Sequence, residues 1–458
     1  MTRTSSLIRS LLYVLATLIA LVIIVFIVWR VNLTRDVNAR LAAIRVAGLP
    51  TSGAELNAYY PAVPDNENAA LVMTQAFALI RNFPDSRSNN EVADFKIPPR
   101  GQSLTVEQKQ LLSSHVAMNE AALTKASESL KLPRSRYPVD FSPGLNTSLS
   151  HLGGLRKLCR VAEFQSLLAA DSGHPDDAVA PITDILGMIR TLDDEPNYIS
   201  QLSRGRLIDM ATASLEYCLN ARDLSEVTLE SLTPSFLAVR QTNLMTRVFI
   251  GERAVLVPYF QSRSAWVVEN SESELIADPP PMRFWIMGVN ARDLVFYLKV
   301  MDTNIAFARL PFPRDLNTIS HFSAETFDHI EQHPYTSLHY HHPFEFSATF
   351  LPSTGILLKR EAEFATNLRL ASMALVVERF RLTQDRLPEN LNELVPKFIS
   401  AVPDDPFDGQ PLRYHRLAKG YVIYSIGADG HDDGGREKPA DWKSTDKTTY
   451  DITFIVER

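Results

Sequence analysis

The chain has 458 residues, of which 45% are hydrophobic and 22% charged, and a formal net charge of −7. That length accommodates two or three domains at roughly 150 residues each. The acidic balance gives no sign of a nucleic-acid-binding surface, and two cysteines, Cys159 and Cys218, are too few for a cysteine-rich metal site or a disulfide framework.

The first element is the plainest. From Leu11 to Trp29 no residue is charged, and LLYVLATLIALVIIVFIVW is 19 residues long. As a helix at ~1.5 Å per residue it spans about 28 Å, close to the ~30 Å of a bilayer's hydrocarbon. Arg9 and Arg30 bracket it, and Tyr13 and Trp29 stand where interfacial aromatics belong. A cleavable signal peptide would carry a shorter apolar core and small residues after it. The sequence VWRVNLTRDVNAR offers no such site. An uncleaved anchor over 11–30, after a short tail over 1–10, is therefore expected. Arg30, Arg35, Arg40 and Arg45 outnumber Arg3 and Arg9, which by count favours a cytoplasmic C-side, but long domains translocate largely regardless of charge.

Beyond the anchor, Asn32 to Val46 reads as a polar continuation of the helix. Turn clusters (GLPTSG, YYPAVPDN, FPDSRSNN) mark residues 31–103 as a linker with one helix, about Glu67 to Arg81. A capping box at Thr105 and Gln108 opens a helix expected to reach about Leu130. Further helices are expected over about Thr147–Ala170, from Pro175 through Ile189, from Asn197 to Leu219, and from Ser225. In the first of these, Leu152, Leu155, Leu158, Cys159, Ala162 and Leu167 recur at three- and four-residue steps. Short loops between such helices give antiparallel hairpins, so 104–257 is expected to be a helical hairpin bundle. It is repeat-like in flavour but has no clean period. The two cysteines fall within it and read as buried small hydrophobes or as one structural disulfide. Residues 258–357 are rich in proline and aromatics and are expected to be irregular, with helices near 283–309 and 315–332. One helix is expected from Lys359 to Leu382.

The last stretch, 358–458, reads as a small α+β module. Asp404-Asp405-Pro406 and Asp408-Gly409 are turn chemistry. Leu412–His415, Tyr421–Ser425 and Thr448–Val456 are expected strands of an antiparallel sheet on the 359–382 helix. Three strings occur here in order: ERFRLTQDRLPENLNELVPKFI, VPDDPFDGQPLRY and GYVIYSIGADGHDDGG. From Thr366 to Gly435 they resemble the C-terminal part of the major pseudopilin of bacterial type II secretion systems. The resemblance implies that module's fold and a body on the periplasmic side of the inner membrane. It also implies a Ca²⁺ loop in which Asp429 matches the family's GADG aspartate, with Asp432 and Asp433 as further hard oxygens. Two features depart from the family: no processing glycine precedes the apolar run, and no glutamate lies within it. The chain is thus not expected to be a fibre subunit.

One other constellation carries chemistry. Six of the 11 histidines fall between His321 and His342: His321, His329, His333, His339, His341 and His342. His329 and His333 share a helical face with Glu325, a pattern open to zinc or copper. HIEQH is not, however, the H-E-x-x-H of zinc proteases, and solvated histidines are the plainer reading. There is no G-x-S-x-G, P-loop or G-x-G-x-x-G. The sequence therefore points to a mainly α, membrane-anchored envelope protein that binds protein partners and is not an enzyme. A metal-dependent hydrolase on the His321–His342 cluster is the alternative.

Overall fold

The computed structural model describes residues 2–241, 244–262, 282–332, 344–439 and 448–458. Helix α1 (Thr2–Val46) is unbroken. Its apolar part, 11–29, is exposed throughout apart from a half-buried Phe26, and it is long and apolar enough to cross a membrane. Past it, Val37, Leu41 and Ile44 are buried at helical spacing, so the same helix that leaves the apolar run plugs directly into the body.

Short helices then wrap the base: α2 (Gly53–Tyr59), α3 (Ala69–Ala78) and α4 (Ser86–Asp94). Only α3 coincides with the one helix expected in this stretch. The other two begin at Ser52 and Asp85, whose side chains accept the amides of Glu55 and Ser88, a capping signal among the turn residues. The helix expected from Thr105 to Leu130 is two, α5 (Val106–Met118) and α6 (Glu120–Ser129). Thr105 and Gln108 do form the capping box. The break is at Asn119, which is fully buried. Its amide accepts Arg81 N at 2.8 Å and donates to Arg81 O at 3.1 Å and His115 O at 2.9 Å. This tertiary tie overrides local helix propensity.

The bundle follows as α7 (His151–Asp171), α8 (Val179–Arg190), α9 (Tyr198–Ala221) and α10 (Glu226–Leu237), with Pro175 opening a single 3-10 turn before α8. Their apolar stripes meet in one core that includes Leu158, Phe164, Ile185, Ile208, Leu215 and Phe236. Cys159 and Cys218 are both buried there and both free, which decides between the two readings of the pair.

A second core stands beside it. Helix α11 (Leu244–Gln261) is followed by α12 (Met282–Ile286), α13 (Val289–Arg309), α14 (Leu316–Glu331) and α15 (Glu345–Phe350). Val37, Leu41 and Ile44 of α1 join Phe249, Phe260, Leu294, Tyr297 and Met301 in it. Helices near 283–309 and 315–332 are thus present.

Helix α16 (Thr354–Gln384) is buried at 19 of its 31 residues and contributes to both cores. Where α9 crosses it there is room for no side chain: a Cβ on Gly205 would sit 1.9 Å from the Phe364 ring. Against α16 lies an antiparallel sheet in the order β1 (Arg413–Leu417), β2 (Gly420–Ser425), β3 (Ile452–Glu457). Tyr421 pairs with Val456 and Ile423 with Phe454, and these four residues belong to the bundle core. The module is therefore joined to the helical body through one shared core. Its outer edge is closed by α9: Ile455 N donates to Glu216 Oε1 at 3.1 Å, and Asn220 Nδ2 donates to Ile455 O at 2.7 Å. Asn220 Oδ1 accepts Glu457 N at 2.8 Å. Two side chains four apart on a helix thus stand in for a fourth strand and blunt an edge that would otherwise pair with another chain.

Candidate functional site

A groove of about 1060 Å³ is floored by α7 and α9 and walled by α4. The floor is apolar, with Leu149, Leu152, Leu155, Ile199, Leu207 and Met210. The rim is cationic. Arg156 and Lys157 come from α7 and Arg206 from α9, all three exposed. The Thr147–Leu167 stripe buries Leu155 and Leu158, which turns the two intervening cations outward. None of the three has a hydrogen bond or ion pair among the described residues. Arg160, the fourth cation, is committed: it pairs with Glu163 at 2.6 Å and donates to Phe95 O at 2.9 Å. No Asp or Glu lines the groove. His115 also lines it. Burial pushes its pKa down, which favours the neutral imidazole, and its buried Nδ1 has no hydrogen-bond partner among the described residues.

A second cleft, of about 780 Å³, is lined by α9, the 97–103 segment and Glu437–Pro439, with Glu457 at the end of β3. Arg100 crosses it to Glu437 at 2.8 Å and stands 3.6 Å from Glu216. Burial pushes the Glu216 carboxyl up to about 7, against the opposing pull of the Ile455 amide and Arg100.

The three aspartates of the expected calcium loop lie close together in sequence but have separate partners. Asp429 Oδ1 accepts His431 N at 3.1 Å, closing its own turn. Asp432 accepts Gly434 N at 3.0 Å and pairs with Arg413 at 3.1 Å. Asp433 accepts Thr449 Oγ1 at 2.8 Å, while its buried Oδ2 has no hydrogen-bond partner among the described residues. Its amide donates to the buried Asp451 at 3.3 Å. Among the described residues no three His, Cys, Asp or Glu side chains are grouped as a metal site; the 440–447 end of this loop lies outside them.

Arg413 is the hub of the module. It reaches Asp405 at 3.2 Å, Asp408 at 2.6 Å and Asp432 at 3.1 Å. Asp405 is fully buried and also accepts Ser425 Oγ at 2.8 Å and Ile426 N at 3.1 Å. It therefore holds the turn to the strand that leads into the loop. The turn reading of Asp404-Asp405 understated this residue; the adjacent proline was a signal for a fixed turn but not for burial.

Of the clustered histidines, His321 pairs with Glu325 at 3.2 Å on an exposed face. His329 packs against the rings of Phe296 and Phe344. His333, His339, His341 and His342 lie outside the described residues. A buried set not foreseen from sequence joins α7 to the turn before α9. His151 Nε2 meets Glu195 Oε1 at 3.0 Å, and Tyr137 stacks on the imidazole at 4.3 Å. Ser200 Oγ donates to Glu195 rather than to His151, so no nucleophile–base pair is formed.

Known protein families, curated proteins and solved structures give no match to this chain. The groove is the site whose residues carry the most chemistry: unpaired positive charge over an apolar floor.

Proposed function

We propose that the protein is a non-enzymatic, single-pass membrane protein of the bacterial envelope, anchored by α1 with its body on the periplasmic side, and that its groove takes an acidic, amphipathic segment of a protein partner. The observation that carries this reading is the set Arg156, Lys157 and Arg206, without a hydrogen bond or ion pair among the described residues, above six apolar side chains in a groove whose lining holds no Asp or Glu. In a chain of net charge −7, such a local positive field attracts acidic partners and repels the protein's own kind. An open groove floored by two helices suits an amphipathic helix better than an enclosed small molecule. The periplasmic placement is supported by the resemblance of residues 366–435 to pseudopilins. Because that module shares a core with the bundle, it serves in this reading as a fixed cap.

The test uses two synthetic amphipathic peptides of equal hydropathy, one acidic and one basic, titrated onto the full chain in detergent with anisotropy as readout. The acidic peptide should bind, with affinity falling as salt rises. Arg156→Glu/Arg206→Glu should weaken it by at least tenfold, about 1.4 kcal/mol. Equal binding of both peptides, or no change in the double variant, removes the reading.

A second reading is favoured by one atom. The buried, unpartnered Oδ2 of Asp433 is what a cation at the implied calcium loop would take up. Since Ca²⁺ needs ~6–8 oxygens, main-chain carbonyls and water would have to supply most of them. Melting the full chain in Ca²⁺ and in chelator should differ, by about 2.7 kcal/mol at a hundredfold excess over Kd, and Asp433→Asn should abolish the difference. Identical melting in both conditions would falsify calcium binding.

A further inference from the structure

We propose that Met282–Met287 lies in the headgroup layer of the membrane that α1 crosses and forms a second, surface-lying contact with it. The inference rests on the reading of α1 as a membrane helix, and it adds a surface that the anchor alone does not supply.

The position comes from Arg30. This is the residue at which the uncharged run of α1 ends, and an arginine there sits at the level of the lipid headgroups. Its Nη2 donates to Trp285 O at 3.3 Å. Just past α12, Gly288 takes φ 72, and a Cβ there would meet Arg30 Nη1 at 2.3 Å. The Trp285 carbonyl and the turn after α12 thus lie against the Arg30 side chain where the apolar run of α1 ends, and the left-handed φ of Gly288 favours glycine in that turn.

The exposure comes from the other face. Met282 is 57% exposed, Ile286 61% and Met287 46%. Trp29 and Val31 of α1, each 42% exposed, flank the same level. Exposed apolar side chains thus stand on both α1 and α12 at this level, on either side of Arg30. Behind it the segment is fixed: Trp285 packs edge-on against Phe346 with centroids 5.9 Å apart, and α13 runs on into the second core. A short apolar helix held rigidly at its inner face and open at its outer face, at headgroup depth, has the properties of an interfacial contact. A second copy of the chain is the other occupant such a patch admits. Its location argues against that, because a copy seated there would have to displace the lipid headgroups around α1.

The experiment places an environment-sensitive nitrobenzoxadiazole label at Ile286→Cys in the full chain. The two native thiols are buried, which directs labelling to the introduced one. The protein is reconstituted into phosphatidylcholine–phosphatidylglycerol vesicles carrying nitroxide lipids, either near the headgroup or deep in the acyl chain. Val22→Cys reports the anchor, and Val227→Cys, 78% exposed on α10, reports water. The proposal expects emission at 286 to be blue-shifted and quenched several-fold more strongly by the shallow nitroxide than at 227. A label at 286 that behaves like 227, while 22 is quenched by the deep nitroxide, overturns the proposal and leaves the anchor standing. A label at 22 that escapes the deep nitroxide overturns the anchor itself. Blue-shifted emission at 286 that ignores both nitroxides and grows with protein-to-lipid ratio assigns the patch to a second copy, which also overturns the proposal.

Discussion

Glu361→Ala should lower the stability of the full chain by about 3–5 kcal/mol, the cost of leaving a buried charge without its partner. Glu361 on α16 and Arg314, before α14, each have side chains 1% exposed. Arg314 Nη1 donates to Glu361 Oε2. The other carboxylate oxygen accepts Leu244 N and Met245 N, each at 3.2 Å, and so closes the start of α11. The guanidinium spends its remaining donors on Leu310 O at 2.9 Å and Ala308 O at 3.0 Å, and stacks over Phe312 at 4.5 Å. Three segments of the second core thus meet on one carboxylate. Its removal strands a cation and two helix-terminal amides in a dry interior. Denaturant midpoints measure the loss. The pair Arg314→Met/Glu361→Leu should cost much less than either single change, because a buried ion pair can be replaced by well-packed apolar groups. A Glu361→Ala loss under about 1 kcal/mol would show that the pair is bystander structure.

Glu216 should make the protein less stable as pH rises from about 4.5 to about 7. Burial holds its carboxyl in the protonated form, with a pKa of about 7 against an ordinary 4.5. Below both values the folded and unfolded chains bind the proton alike. Between them the unfolded chain releases it and the folded chain keeps it, so stability falls with pH, and above about 7 the loss is complete. The full displacement corresponds to about 3.4 kcal/mol at ~1.36 kcal/mol per pH unit. The side chain is 24% exposed to the cleft, which tempers the expected loss to about 2 kcal/mol by solvent screening. Arg100 and Glu437 face the carboxyl with opposite effects, and Glu457 and Lys438 line the same cleft. Glu216→Gln keeps an acceptor for Ile455 N and removes the charge. It should therefore raise Tm at pH 8 and leave Tm at pH 4 unchanged. An equal shift at both pH values would mean that the substitution acts through packing and not through the proton.

Much of this architecture is legible in the residue order. A helix long and apolar enough to cross a membrane follows from composition alone, since 19 successive residues carry no charge. The bundle helices follow from apolar spacing, and the sheet from alternation between turn residues. What spacing cannot supply is which faces meet. Arg156 and Lys157 look like any solvated helix surface until α9 brings Arg206 beside them. Arg314 and Glu361 are ordinary charges in sequence, and only the crossing of α16 buries them. Asn119 reads as mid-helix, yet its contacts with Arg81 break the helix. In each case a tertiary partner far along the chain decides what local propensity leaves open.

The direct entry of α1 into the second core also constrains the order of assembly. Val37, Leu41 and Ile44 are made first, yet α1 packs against α13, which follows the whole bundle in the chain. The stretch just past the apolar run must therefore wait, apolar and uncovered, while α7 to α10 are synthesised and close on one another. Such late, long-range closure is slow and exposes the waiting segment to wrong partners. During synthesis this early stump, more than the bundle, is where a chaperone would be most needed.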